Sequence, residues 1–168
     1  MQRNFVIMCT VVSLTLSVCG ALAENKPAHM EGHQHGSGTA AESVHADVKK
    51  HHDCAHCGMN REKFSHSRML ITYADGTSIG VCSIHCTAIE LKAGKGNPVK
   101  SLQVADLDTK KLVDAEKAVW VIGGDKKGVM TKTPKWAFAR KSDAEAFINK
   151  SGGKLATYKE ALAMAEKE

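Results

Sequence analysis

Two short motifs carry the chemistry of this chain. Cys54-Ala55-His56-Cys57-Gly58-Met59 is a CxxC pair with a histidine inside it and a methionine close behind, and Cys82-Ser83-Ile84-His85-Cys86 is a CxxxC pair with a second histidine. Thiolate and thioether sulfur packed this densely with imidazole is the donor set that soft metal ions select, and paired cysteines also do thiol–disulfide chemistry. Three arrangements of Cys54, Cys57, Cys82 and Cys86 fit the spacing. Two disulfides would staple a small exported domain and contribute about 2–4 kcal/mol each. A Zn(II) site takes its ligands in two close pairs, as in zinc ribbons and treble clefs. A Cu(I) site would draw thioethers in beside the thiolates.

The methionines separate the last two. Met59 follows CxxCG on the turn that presents Cys57, where a core side chain would gain little burial, and Met130 stands after Gly128-Val129 in an otherwise polar loop. Zn(II) scarcely uses thioethers, and a thioether binds without losing a proton. Two displayed methionines beside a cysteine-rich element favour copper. Met69 on a strand and Met164 on a helix read as core. The candidate metal ligands are therefore Cys54, Cys57, Met59, Met130, Cys82, His85, Cys86 and His56, with Cu(I) as the ion and Zn(II) as the alternative at the four cysteines. A rival from another class is a thiol–disulfide oxidoreductase with Cys54 attacking and Cys57 resolving; no helix opens at the motif to lower the Cys54 pKa.

These residues need elements to hold them. Residues 68–73 and 77–81 read as two strands around an Asp75-Gly76 hairpin turn, and residues 83–92 as a helix stopping at Gly94. One cysteine pair thus precedes the hairpin and the other lies where its second strand meets the helix, so folding brings them together. Further on, residues 98–105, the end of 111–122 and 136–139 read as strands, residues 143–149 as a helix capped by Ser142, 155–157 as a short strand and 158–166 as a final helix. Hairpin-then-helix occurs twice. The fold class is α+β, with two related ββαβ-type units in tandem: residues 51–97 carrying the cysteines, and residues 98–168.

The rest of the chain bounds where this happens. The 168 residues carry a formal charge of +5, and the first 23 match a secretory signal: Arg3, an apolar run, then Ala21-Leu22-Ala23. Removing them takes away one basic residue and leaves +4, with four cysteines in the mature chain. The expected location is the periplasm or the outer face of the cell envelope. Cys19 sits in a weak lipobox after Val18, so membrane anchoring follows only if Cys19 is lipidated. Residues 24–50 have no hydrophobic period and carry His29, His33, His35 and His45; this reads as a flexible His-rich tail, at most a weak metal trap. Aromatics make up only 5% and no basic stripe is present, so nucleic acid is excluded as a partner. No catalytic triad, phosphate loop or carboxylate pair stands out, and no enzymatic turnover is expected.

His52-Asp53-Cys54-Ala55-His56-Cys57-Gly58-Met59, the Arg68-Met69-Leu70 and Asp75-Gly76-Thr77 hairpin, Cys82-Ser83-Ile84-His85-Cys86, Asp114-Ala115, Gly128-Val129-Met130 and Trp136-Ala137-Phe138-Ala139, in this order, resemble the NosL family. The resemblance runs from about residue 51 to residue 168. It implies an exported Cu(I)-binding accessory protein of nitrous oxide reductase, built from two ββαβ units similar to part of the organomercurial lyase fold. It also implies Met59 and Met130 as copper ligands near Cys57 or Cys54, with a client cuproenzyme and a copper donor as partners. The second cysteine pair and the His-rich tail go beyond the family pattern; they leave the client open and allow a second, zinc-like site.

Overall fold

The computed structural model describes residues 45–94 and 96–168. The expected signal segment, the Cys19 lipobox and the tail histidines before His45 lie outside the described residues. No described helix is long and apolar enough to cross a membrane.

Alternation of buried and half-exposed side chains makes β1 (Met69–Tyr73) a strand with Met69, Ile71 and Tyr73 facing the core. It pairs antiparallel with β2 (Ser78–Val81) across a turn in which the Asp75 carboxylate accepts from the Thr77 N–H and hydroxyl. The chain then enters α2 (Ile84–Lys92) and returns as β3 (Val99–Ala105), which pairs with the other side of β1; β4 (Leu112–Asp114) adds outside β3. The first sheet has the order β2-β1-β3-β4. The second repeats the plan: β5 (Val119–Ile122) and β6 (Lys135–Phe138) form a hairpin, α3 (Lys141–Ser151) crosses, and β7 (Lys154–Ala156) pairs with the free side of β5, giving the order β6-β5-β7. α4 (Tyr158–Ala165) closes the chain behind a capping box in which Thr157 and Glu160 satisfy each other's backbone N–H groups.

Two ββαβ units in an α+β fold are therefore present, but the division at residue 97/98 does not hold. Gly94 to Pro98 looks like a boundary in the sequence, yet β3 completes the first sheet, so that sheet runs through Asp114. Nor does Ser142 cap α3: the helix starts at Lys141 with Arg140 as its N-cap, and Arg140 is paired with Asp143 instead. The two sheets share one apolar core. Met69, Val81 and Val104 from the first pack with Trp120, Ile122 and Ala137 from the second, and the buried Trp120 indole donates to the Ala115 carbonyl at 2.9 Å.

Residues 46–50 correct the extent of the tail. They form α1 (Ala46–Lys50), with Val48 buried and Asp47 clasped by two fully buried arginines. Arg61 Nη2 donates to Asp47 Oδ2 at 2.7 Å, and Arg68 Nη2 donates to Asp47 Oδ1 at 2.9 Å. Arg61 also donates to the carbonyls of His51, Met69 and Val81, tying α1 to both strands of the first hairpin. Gly80 on β2 leaves the room: a Cβ there would lie 2.5 Å from both Arg61 Nη1 and the His51 Cβ. Gly80→Ala is expected to destabilise the protein by about 1–3 kcal/mol through overpacking, read as a lowered midpoint in chemical denaturation.

Candidate metal centre

The first hairpin and α2 deliver the four thiols to one point. Residues 54–59 fold as a tight turn: Gly58 donates its N–H to the Cys54 carbonyl at 2.9 Å, and Cys54 donates its own to the Met59 carbonyl at 2.8 Å. Gly58 has a φ of +73°, which a residue with a side chain adopts only at a cost. The Ala55 N–H donates to the Gly80 carbonyl at 3.0 Å, fixing this turn on β2 one residue before Val81 and two before Cys82. Ser83 in extended conformation is the N-cap of α2, so Cys82 stands just before the helix and Cys86 in its first turn, on the same side. The Ser67 hydroxyl holds the Cys82 carbonyl at 2.8 Å.

The sulfurs of Cys54, Cys57, Cys82 and Cys86 all lie within 4.8 Å of one another. Three edges are 3.5 Å (Cys57–Cys82), 3.6 Å (Cys82–Cys86) and 3.8 Å (Cys57–Cys86). All four cysteines are free thiols, and the distances describe one cluster, not the two covalent pairs of the disulfide alternative. Cys82 and Cys86 are fully buried and Cys54 nearly so; Cys57 is the sulfur that solvent reaches.

Charge inside the cluster is uneven. Hydrogen bonds from Cys82 and Cys86, together with the main-chain N–H groups of Cys57 and His56, outweigh burial and push the Cys54 thiol far down. As donor to Cys54, Cys82 is pushed up to about 12, and Cys86 is raised for the same reason. Negative charge on Cys54 also acts on the Arg61 guanidinium.

The other expected ligands are distributed around this cage. His56 is exposed on the turn between Cys54 and Cys57. His85 is half-buried on α2 with its Nδ1 buried and lacking a hydrogen-bond partner. Neither histidine belongs to the four-sulfur cluster. Met59 packs partly buried against the core cluster that contains Cys54, Cys82 and Cys86. Met130 is 43% exposed, while its neighbour Val129 is buried in that same cluster. Val129 and Thr131 line a small cavity with Ser83 and Ile84, so the residues flanking Met130 sit against the start of α2. The Met130 backbone has a φ of +53°, a left-handed conformation that costs a methionine about 1–2 kcal/mol. Met69 is wholly buried, with the Thr87 hydroxyl 3.1 Å from its sulfur, and belongs to the core as expected. Sequence reasoning missed the supporting shell: the N–H groups aimed at Cys54, Ser67, and Arg61 behind the cage. Only the Gly after CxxC hinted at the turn.

A family model for NosL matches residues 45–164. Among solved structures, the crystal structure of the copper chaperone NosL from Shewanella denitrificans is 27% identical, with a TM-score of 0.52 over 65% of this chain and 88% of that one. Comparison with curated proteins gave no match.

Proposed function

The chain belongs to the NosL family, and we propose that it is an exported metallochaperone that carries Cu(I) to a cuproenzyme outside the cytoplasm, with nitrous oxide reductase as the client. The observation that carries this reading is the four clustered thiols at the first hairpin, with Met59 packed against the core cluster that contains Cys54, Cys82 and Cys86, and Met130 displayed on a strained loop against the start of α2. The copper chaperone from Shewanella denitrificans, which resembles the chain over most of its described fold, supports it. The family is one of copper chaperones and not of enzymes.

The chemistry is ligand exchange. Cu(I) is soft and is held by thioether and thiolate donors without demanding a fixed geometry. Met59 and Met130 supply neutral sulfur, which binds without proton loss, and Cys57 supplies the accessible thiolate. Exposed donors let an incoming client ligand attack before the outgoing one has left, which a closed cage forbids. Residues 1–23, with their signal-like pattern, support export.

The test is competition. The reduced full-length chain, titrated with Cu(I) against a chromogenic Cu(I) chelator, is expected to withhold one Cu(I) per chain. It should then pass that ion to copper-free nitrous oxide reductase faster than the chelator-buffered ion arrives. Complete loss of copper to the chelator would overturn the reading; retention without accelerated transfer would overturn the client.

A further inference from the structure

We propose that the cavity between the β3–β4 and β5–β6 connections, walled by His66, Lys110, Lys126, Lys127 and Trp136, is an anion site that receives a carboxylate-rich segment of the protein with which this chain exchanges its cargo. That the occupant is a protein segment rests on the chaperone reading; the anion site itself does not.

Charge comes first. The cavity has a volume of about 400 Å³, and its lining carries three lysines less one carboxylate, Asp108, a net +2 with His66 neutral. Among the described residues, none of the three lysines is in an ion pair with a carboxylate. Two of the lysines are held in place. The Lys126 ammonium lies 5.3 Å from the centre of the Phe147 ring, and the Lys110 ammonium donates to the Leu107 carbonyl. The connection that carries Lys110 is itself fixed. The buried Asp106 carboxylate accepts from the N–H groups of Thr109 and Ala139, each at 2.7 Å, and Arg68 Nη1 donates to the Lys110 carbonyl at 2.9 Å. The crowding of cations registers on its members. Burial first, then the charges of Lys110 and Lys126, holds the His66 imidazole below its ordinary value. Burial, with Lys126 and Arg68, lowers the Lys110 ammonium against the pull of Asp108 and Asp106. A cavity lined by one sign of charge focuses its field on ligands of the other sign.

An unanswered donor comes second. Trp136 is 3% exposed, and its buried indole N–H has no acceptor among the described residues. The chain's other indole, Trp120, donates to the Ala115 carbonyl at 2.9 Å. Buried donors are almost always satisfied, and an orphaned one in the wall of a cationic cavity is a place for an anion's oxygen.

Position names the occupant. Lys127 and Lys126 stand three and four residues before Met130 on the same connection. His66 lines both this cavity and the smaller one where Val129 and Thr131 meet the start of α2. An anion bound here is therefore held beside the loop that displays Met130. A free metabolite needs no such placement. A partner arriving for cargo needs attraction at a distance and a fixed register on this face, and complementary charge supplies both. Lysines are point charges on flexible stems, so they suit successive carboxylates along an acidic stretch better than one planar ligand.

The test titrates the full-length chain, reduced and copper-free, with an end-blocked hexaglutamate peptide at low salt, read by calorimetry and by the two indole N–H resonances. The Trp136 resonance is expected to shift while that of Trp120 stays. Lys126→Glu with Lys127→Glu should weaken binding at least about tenfold. Lys154→Glu with Lys167→Glu removes the same charge from exposed lysines at the groove between β7 and α4, and should weaken binding less than about threefold. Should the first pair fail to fold, the indole shift in the unaltered chain decides. Equal weakening by the two pairs, or a Trp136 resonance that does not move, would overturn the site. Citrate binding as tightly as hexaglutamate at the same ionic strength would give the cavity to a free carboxylate and overturn the protein segment. A chain that withholds no Cu(I) yet binds hexaglutamate with the Trp136 shift would overturn the chaperone reading and leave the anion site standing.

Discussion

Replacing Asp47 by asparagine is expected to destabilise the protein by about 3 kcal/mol, and to lower its thermal midpoint by about 10 °C. The reason is that Asp47 is the carboxylate shared by two arginines with no solvent exposure: Arg61 at 2.7 Å and Arg68 at 2.9 Å. Asparagine keeps the shape and an acceptor but removes the charge, leaving two buried guanidiniums without the anion they share. Burial alone would raise the pKa of the Asp47 carboxyl; hydrogen bonds and charge from Arg68, then Arg61, outweigh it and hold the group below the usual carboxylate value. The sign of the pH dependence follows. A depressed folded-state pKa means the contribution is complete above the unfolded carboxylate value of about 3.9 and is lost as pH falls through the folded value. Urea denaturation of wild type and Asp47→Asn at pH 7 and at pH 3 should therefore show a gap that narrows in acid. Equal stabilities at pH 7 would show that Asp47 contributes nothing to the fold.

That residue also marks the limit of what the sequence discloses. Asp47 lies among Ala46, Val48, Lys49 and Lys50 behind a run of small and polar residues, and five residues of helix are too few to leave a periodic signal. Its importance comes from Arg61 and Arg68, 14 and 21 positions away, and only the folded hairpin makes them neighbours. The cysteine cage was legible because ligand spacing is local: CxxC is a turn, CxxxC straddles a helix start, and Asp75-Gly76 marks the hairpin that joins them. The two-unit plan was legible for the same reason, since hairpins and helices leave local patterns. The strand that closes the first sheet was not, because β3 reaches β1 across α2 and residues 94–98, and strand partners are chosen by long-range packing. Nothing in the sequence distinguishes a cage of four free thiols from two disulfides; that took the sulfur positions.

The second large effect is expected at the thioethers. Met59→Ala with Met130→Gly should weaken Cu(I) binding by about a hundredfold, about 2.8 kcal/mol, or about tenfold for each sulfur removed. The glycine is chosen with purpose. Met130 at φ +53° stores about 1–2 kcal/mol of left-handed strain that glycine does not feel, while glycine's extra freedom in the unfolded chain returns about 0.5–1 kcal/mol of that gain. Being 43% exposed, the methionine surrenders little burial when it is removed. The single change Met130→Gly should therefore melt at or slightly above the wild-type temperature even as its copper affinity falls about tenfold. A residue kept only for packing would do the reverse, losing stability and sparing copper. Met69→Ala provides the contrast: its side chain is fully buried against Thr87, so about 2–5 kcal/mol of stability should go while the copper affinity of the remaining folded protein stays near wild type. Chelator competition and thermal melts on the same three variants separate the two kinds of methionine. If Met130→Gly bound copper as wild type does, the strained loop would have no part in holding the ion, and Met59 and Cys57 would be left to carry it.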